Sequence, residues 1–147
     1  MIATSGGVFH HAQITVTDIE RSRGFYAGVL GFRELERPSF PHPGAWFEMG
    51  NGQELHIVRP PFEPLWRASE KMQIFETHLA LRVPDFQAAV DHLRSHGYSE
   101  ALSDEDPCKM VVRLDSPTRY PQAYVLDPDR HLIEFNGASA ERRAGVK

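Results

Sequence analysis

Between His10 and Thr17 the chain alternates, with Ala12, Ile14 and Val16 on one side and His11, Gln13, Thr15 and Thr17 on the other, the period of a half-buried strand. Asp18 then offers a helix N-cap. Ile19, Tyr26, Val29 and Leu30 fall at roughly helical spacing, and Gly31 supplies the left-handed residue that closes the helix. The order returns at Thr77, where Leu79, Leu81 and Val83 alternate with His78, Ala80 and Arg82. Asp85 caps a second helix in which Phe86, Ala89, Val90 and Leu93 keep the i, i+3, i+4, i+7 spacing, and Gly97 ends it.

His11 precedes Asp18 by seven residues and His78 precedes Asp85 by seven; the caps precede their closing glycines by thirteen and twelve. This match of register is an internal repeat. Strands are predicted at Ala45–Met49 and Glu54–Val58 in the first copy, and at Met110–Leu114, Tyr124–Leu126 and His131–Asn136 in the second. The turns Gly50-Asn51-Gly52 and Asp127-Pro128-Asp129-Arg130 are built from hairpin-type residues. The sequence therefore reads as an α+β chain of two βαβββ modules, about 8–60 and 76–137, joined by a linker at 61–75 and followed by a tail at 138–147. Pro60, Pro61 and Pro64 mark the linker, which has room for one short helix.

At 147 residues and 41% apolar, the chain suffices for one compact domain with a core, so the modules are expected to share it. A net charge of -4, with no basic run beyond Arg142-Arg143, argues against nucleic acid as a partner. The single Cys108 excludes an internal disulfide and Cys-paired zinc patterns, and it fits a reducing compartment. The N-terminal segment lacks a basic start and an unbroken apolar stretch, and no run approaches the roughly 18 apolar residues that span a bilayer. A cytoplasmic protein with no membrane partner is the expectation.

Strand parity sends four chemically capable residues to the face opposite the apolar one: His11, His56, His78 and Glu134. His11 and His78 open the first strand of each half, and His56 and Glu134 sit in the last, so a pseudo-twofold arrangement would converge all four. Imidazoles and a carboxylate with open positions suit a divalent first-row ion. Any one of them alone reads better as a satisfied strand histidine or a solvated edge carboxylate; matched register favours the ligand reading.

The segments HHAQITVTDIERSRGFYAGVLGF, THLALRVPD and YVLDPDRHLIEFN resemble the vicinal oxygen chelate superfamily, which includes glyoxalase I, bleomycin-resistance proteins, fosfomycin-modifying enzymes and extradiol dioxygenases. The resemblance covers about residues 8–137. It implies a glyoxalase-like fold of two modules forming a cupped, half-barrel mixed sheet, a metal held by His11, His78 and Glu134, a small-molecule substrate and a homodimer. It further implies Zn, Ni, Mn, Co or Fe(II) as the cofactor, and a lyase or isomerase acting through a metal-chelated oxyanion or enolate. An Fe(II)-dependent ring-cleaving dioxygenase, an antibiotic-modifying thiol transferase and a non-catalytic drug-binding protein of the bleomycin-resistance kind are the alternatives. The fourth symmetric position carries Glu in glyoxalase I and His56 here, leaving it as ligand, base or neither. Glu54, two residues earlier on the same face, is a candidate base or a solvated strand-end carboxylate. The family's DPDG turn reads DPDR, so Arg130 takes a left-handed conformation at a cost of about 1 kcal/mol, or the turn differs.

Trp46 and Glu48 share a parity opposite to Phe47 and Met49, which makes Trp46 a candidate substrate wall. Gln13, Thr15 and Arg82 project on the ligand face as substrate-binding candidates. Arg82 suits a substrate carboxylate or phosphate, with a surface salt bridge as the competing reading. Phe40 and His42 lie in a Pro-flanked segment with the character of a loop over the site mouth. His92 and His96 form H-x-x-x-H without the Glu of a zinc-protease motif and read as helix-boundary residues. His10 and His131 take the core parity, and no GxSxG elbow or Gly-rich phosphate loop is present.

Overall fold

The structure is a computed structural model that describes residues 9–62, 70–115, 117–118 and 120–137. Residues 1–8, residues 63–69, which hold most of the linker stretch with room for one short helix, and the tail at 138–147 lie outside the described residues. The chain divides into two compact units, 1–65 and 66–147. Each has the order βαβββ and a four-stranded mixed sheet, as the repeat predicts.

In the first unit β1 (His11–Thr15) leads to α1 (Ile19–Arg23), then β2 (Arg33–Leu35), β3 (Gly44–Gly50) and β4 (Gln53–Val58), with sheet order β1-β4-β3-β2. β1 runs parallel to β4 and the other pairs are antiparallel. Asp18 caps α1 by accepting from the Arg21 N–H at 3.0 Å, and Gly31 takes φ +72°. Between those ends the helix departs from expectation: from Gly24 to Val29 it widens into π turns, with the Leu30 N–H donating to Phe25 O at 2.9 Å. The consecutive Phe25 and Tyr26 are both buried there, edge-to-face at 5.0 Å. The core beneath is Val16, Tyr26, Ala45, Phe47, Leu55 and Ile57. β2 was not visible in the sequence, because Arg-Glu-Leu has no alternation to display; its pairing with β3, backed by an Arg33–Glu48 ion pair, makes it an edge strand.

The second unit repeats the plan with β5 (His78–Arg82), α2 (Phe86–Ser95), β6 (Met110–Arg113), β7 (Gln122–Leu126) and β8 (Leu132–Asn136), in the order β5-β8-β7-β6. Asp85 accepts from the Ala88 N–H at 3.0 Å, Phe86, Val90 and Leu93 are buried, and Gly97 takes φ +91° beyond the helix end. The turn before β8 is closed by the buried Asp127, which accepts from the N–H groups of Asp129 (3.0 Å) and His131 (2.7 Å), while Arg130 takes the left-handed φ of +67°. Residues 70–75, assigned to the linker by composition, are partly structural. Met72 is buried in a cluster with Tyr124, Leu126 and Leu132, and its N–H donates to Asp104 O at 2.8 Å.

The two sheets share a register. In the first, Gln13, His56 and Trp46 lie side by side on β1, β4 and β3; in the second, Ala80, Glu134 and Tyr124 occupy the same places on β5, β8 and β7. Among the described residues no helix is long and apolar enough to cross a membrane.

Candidate metal centre

Strand pairing in the first unit stacks a column of rings. His56 is buried between Trp46, parallel at 4.2 Å, and His11, parallel at 4.3 Å. Its Nε2 lies 2.7 Å from Glu54 Oε2. That hydrogen bond, the largest influence on Glu54, holds its carboxyl below the ordinary carboxylate range. His56 is therefore fixed on both faces and at one edge, with Nε2 given to Glu54. Gln13 is exposed on the same face, beside His56 in the register; Thr15 is half-buried at the end of β1.

His10 departs from its assigned core parity: it is exposed, 2.8 Å from His11 through the two Nδ1 atoms and edge-on to that ring at 5.1 Å. It precedes β1, so the strand's alternation does not govern it. Phe40 continues the ring column, 6.0 Å from Trp46 and 5.5 Å from His42.

In the second unit His78 and Glu134 meet, with Nε2 2.8 Å from Oε2. The other imidazole nitrogen, Nδ1, lies 2.7 Å from the Glu76 carbonyl, an acceptor only, so Nδ1 carries the hydrogen. Without a second hydrogen on the ring, Nε2 and Glu134 Oε2 would meet lone pair to lone pair. The contact is favourable with an additional proton, or with a cation shared by both atoms. Two ligands at roughly 2.1 Å from an ion and about 90° apart stand about 3 Å from each other, close to this separation. An imidazole anchored to a backbone carbonyl through one nitrogen, with the other free, is also the usual arrangement of a metal-ligating histidine.

Glu134 is buried and has its second oxygen, Oε1, held at 2.5 Å by the Gln122 side-chain N–H. Oε2 lies against His78, and the Tyr124 phenol also hydrogen-bonds the carboxylate. Gln122 was not singled out in the sequence, although its signal was there: it shares β7's parity with Tyr124, which pairs with Glu134. Tyr124 lies edge-on to His78 at 6.1 Å, and burial, reinforced by the Glu134 charge, raises its phenol above the ordinary value.

Arg82 is exposed on the ligand face but not free: it donates to Gly137 O at 2.8 Å and covers the Tyr120 ring at 4.6 Å. His131 donates from Nδ1 to Asp127 at 3.0 Å, and the exposed His92 and His96 meet at the end of α2 with ring centres 4.4 Å apart and planes tilted by 51°. Among the described residues no group of three or more His, Cys, Asp and Glu forms a ready ion cage. The donors occur in pairs, and the chemistry of His78–Glu134 fits a divalent ion.

A family model for the Glyoxalase/Bleomycin resistance protein/Dioxygenase superfamily matches residues 8–135. The chain is similar to the protein YaeR of Escherichia coli K12, 29% identical over 129 residues, covering 86% of this chain and 92% of that one. It is 27% identical over 131 residues to a lactoylglutathione lyase of Neisseria meningitidis, covering 85% of this chain and 86% of the lyase. Among solved structures it shares its fold with a mutant of the fosfomycin resistance protein FosX from Listeria monocytogenes, complexed with Mn(II) and 1S,2S-dihydroxypropylphosphonic acid. That match has a TM-score of 0.65, is 16% identical and covers 99% of this chain and 100% of FosX.

Proposed function

The chain belongs to the Glyoxalase/Bleomycin resistance protein/Dioxygenase superfamily, and from that premise we propose that it is a divalent-metal-dependent lyase or isomerase acting on a small molecule. The observation that carries the reading is the His78–Glu134 contact, Nε2 2.8 Å from Oε2, with Nδ1 of His78 committed to Glu76 O. His78 and Glu134 are the proposed ligands, and His11 is a further ligand that the family resemblance implies. A divalent ion supplies Lewis-acid stabilisation of negative charge developing on substrate oxygens.

The residues of the chain divide the remaining work. The Glu76 carbonyl sets the tautomer of His78, and Gln122 orients Glu134 through Oε1. Glu54 takes up the substrate proton at the oxygen not bound to His56, and His56 fixes its orientation from Nε2. Trp46 and His11 keep His56 from turning. Similarity to a lactoylglutathione lyase supports a carbonyl adduct as the substrate class. Gln13 and Thr15 are proposed to contact it.

The test is metal content by elemental analysis of the wild type, His78→Ala and Glu134→Ala purified without added metal. It is followed by assay for lactoylglutathione formation from glutathione and methylglyoxal with Ni, Zn, Mn, Co or Fe(II) restored. Both variants should lose the ion and the wild type should turn over. Unchanged metal content in the variants refutes the ligand set. Turnover of catechols only with Fe(II) and O₂ would replace the lyase reading by a ring-cleaving dioxygenase.

A further inference from the structure

Arg37 lies in the segment between β2 and β3 and is half-buried. Its Cζ sits 4.7 Å from the centre of the Phe40 ring, and one Nη2 hydrogen is donated to His42 O at 3.0 Å. The Nε–H is buried without an acceptor, and no carboxylate among the described residues forms an ion pair with this guanidinium. Arginines nearby are matched to specific acids: Arg23 pairs with Glu20 and Glu34, and Arg33 with Glu48.

The position of Arg37 is shaped by its surroundings. A Cβ on Gly44 would stand 3.1 Å from Arg37 Nε and 3.2 Å from Cζ, so the absent side chain at 44 is what lets the guanidinium lie against β3. Phe40 covers its other side and in turn meets Trp46, which stacks on His56, which stacks on His11. A continuous surface of rings thus runs from His11 to an uncompensated, half-desolvated cation. A guanidinium in that setting binds a carboxylate strongly, because the planar fork offers paired N–H donors and part of the desolvation cost has already been met.

We propose that Arg37 is a specificity-determining residue that binds a carboxylate on the substrate, whose apolar body lies along Phe40 and Trp46. The proposal deepens the enzyme reading above, resting on it for the statement that the ligand is the substrate. The free Nη1 hydrogens and the second Nη2 hydrogen face the carboxylate, and the rings select a flat or unbranched body over a branched one.

The probes are 4-phenylbutyrate and its neutral amide, titrated against quenching of Trp46 fluorescence in a Trp66→Phe background, with and without EDTA. The acid should bind at least about tenfold more tightly than the amide in both conditions. Arg37→Gln should remove that preference and leave amide binding unchanged, while Arg37→Lys should retain part of it. Far-UV circular dichroism checks that each variant is folded. Equal binding of acid and amide, a preference that survives Arg37→Gln, or no binding of either at millimolar concentration overturns the proposal. A preference abolished by EDTA and untouched by Arg37→Gln also overturns it, while leaving the metal-centre reading intact; loss of metal in His78→Ala with no loss of acid preference separates the two in the other direction.

Discussion

Removing the Gln122 side-chain donor should expose how much the Glu134 carboxylate depends on it. Both residues are buried, and the Nε2–H to Oε1 hydrogen bond of 2.5 Å has a charged acceptor with little access to water. A hydrogen bond to a charged group contributes about 1.5–3 kcal/mol net, and an acceptor left unpaired in the interior forfeits all of that. Gln122→Leu should therefore lower unfolding free energy by about 2 kcal/mol, within a range equivalent to roughly 10- to 150-fold in the folding equilibrium. Urea unfolding followed by far-UV circular dichroism in EDTA at neutral pH measures it. The control is the coupling energy between Gln122→Leu and Glu134→Leu, read from the two single variants and the double one, because Glu134→Leu alone also takes the carboxylate away from His78. In the metal-loaded protein Gln122→Leu should also weaken ion affinity about 10- to 100-fold, the usual cost of losing a group that orients a ligand. A loss below about 0.5 kcal/mol together with additive single and double variants would show that Gln122 does not hold Glu134, and the reasoning would fail.

Local geometry sets three further outcomes. Gly44→Ala places a Cβ 2.6 Å from the Ile57 carbonyl oxygen, a backbone atom that cannot step aside, so a loss of roughly 1–3 kcal/mol is expected in the same unfolding assay. Asp18→Asn tests the sign of a pH effect. The Arg21 N–H lowers the Asp18 carboxyl from its ordinary value, so its stabilisation is complete above the unfolded-state value, roughly 4, and is lost as pH falls through the folded one; the stability gap between wild type and variant should close in acid, and a gap that widens there would refute the assignment. Arg130→Gly relieves a left-handed φ of +67°, a gain of about 1 kcal/mol, but gives up contacts to the Glu105 and Glu70 carbonyls. No net gain in melting temperature is expected, and a rise of several degrees would show those contacts to be idle.

The parts of the fold that could be read from the chain are those specified locally. Asp18, Asp85, Gly31 and Gly97 mark their helix ends because capping is decided by one residue and its near neighbours. The alternation of His11 to Val16 and His78 to Val83 survives because one face of each strand is covered. What stayed hidden was decided by partners distant in sequence. β2 exists because Glu48, Phe47 and Trp46 offer it an edge, and Met72 is core because Tyr124 and Leu132 leave room for it. The same holds for the candidate centre. Parity identified His11, His56, Glu54, His78 and Glu134, but not that His56 would be occupied by Glu54, that Gln122 would hold Glu134, or that Arg82 would be drawn to Gly137.

The shared register of the two sheets has an evolutionary reading. A duplicated module delivers two copies of every position, and His56 and Glu134 are the same position twice. Once copied, each was free to diverge without disturbing its twin's hydrogen-bonding ladder, so one became an imidazole clamped among rings and the other a carboxyl group clamped by an amide. Such a chain can change the charge it presents to a ligand by one substitution at one node, with the scaffold unaware of the exchange. A family built this way diversifies its chemistry through single side chains rather than new folds.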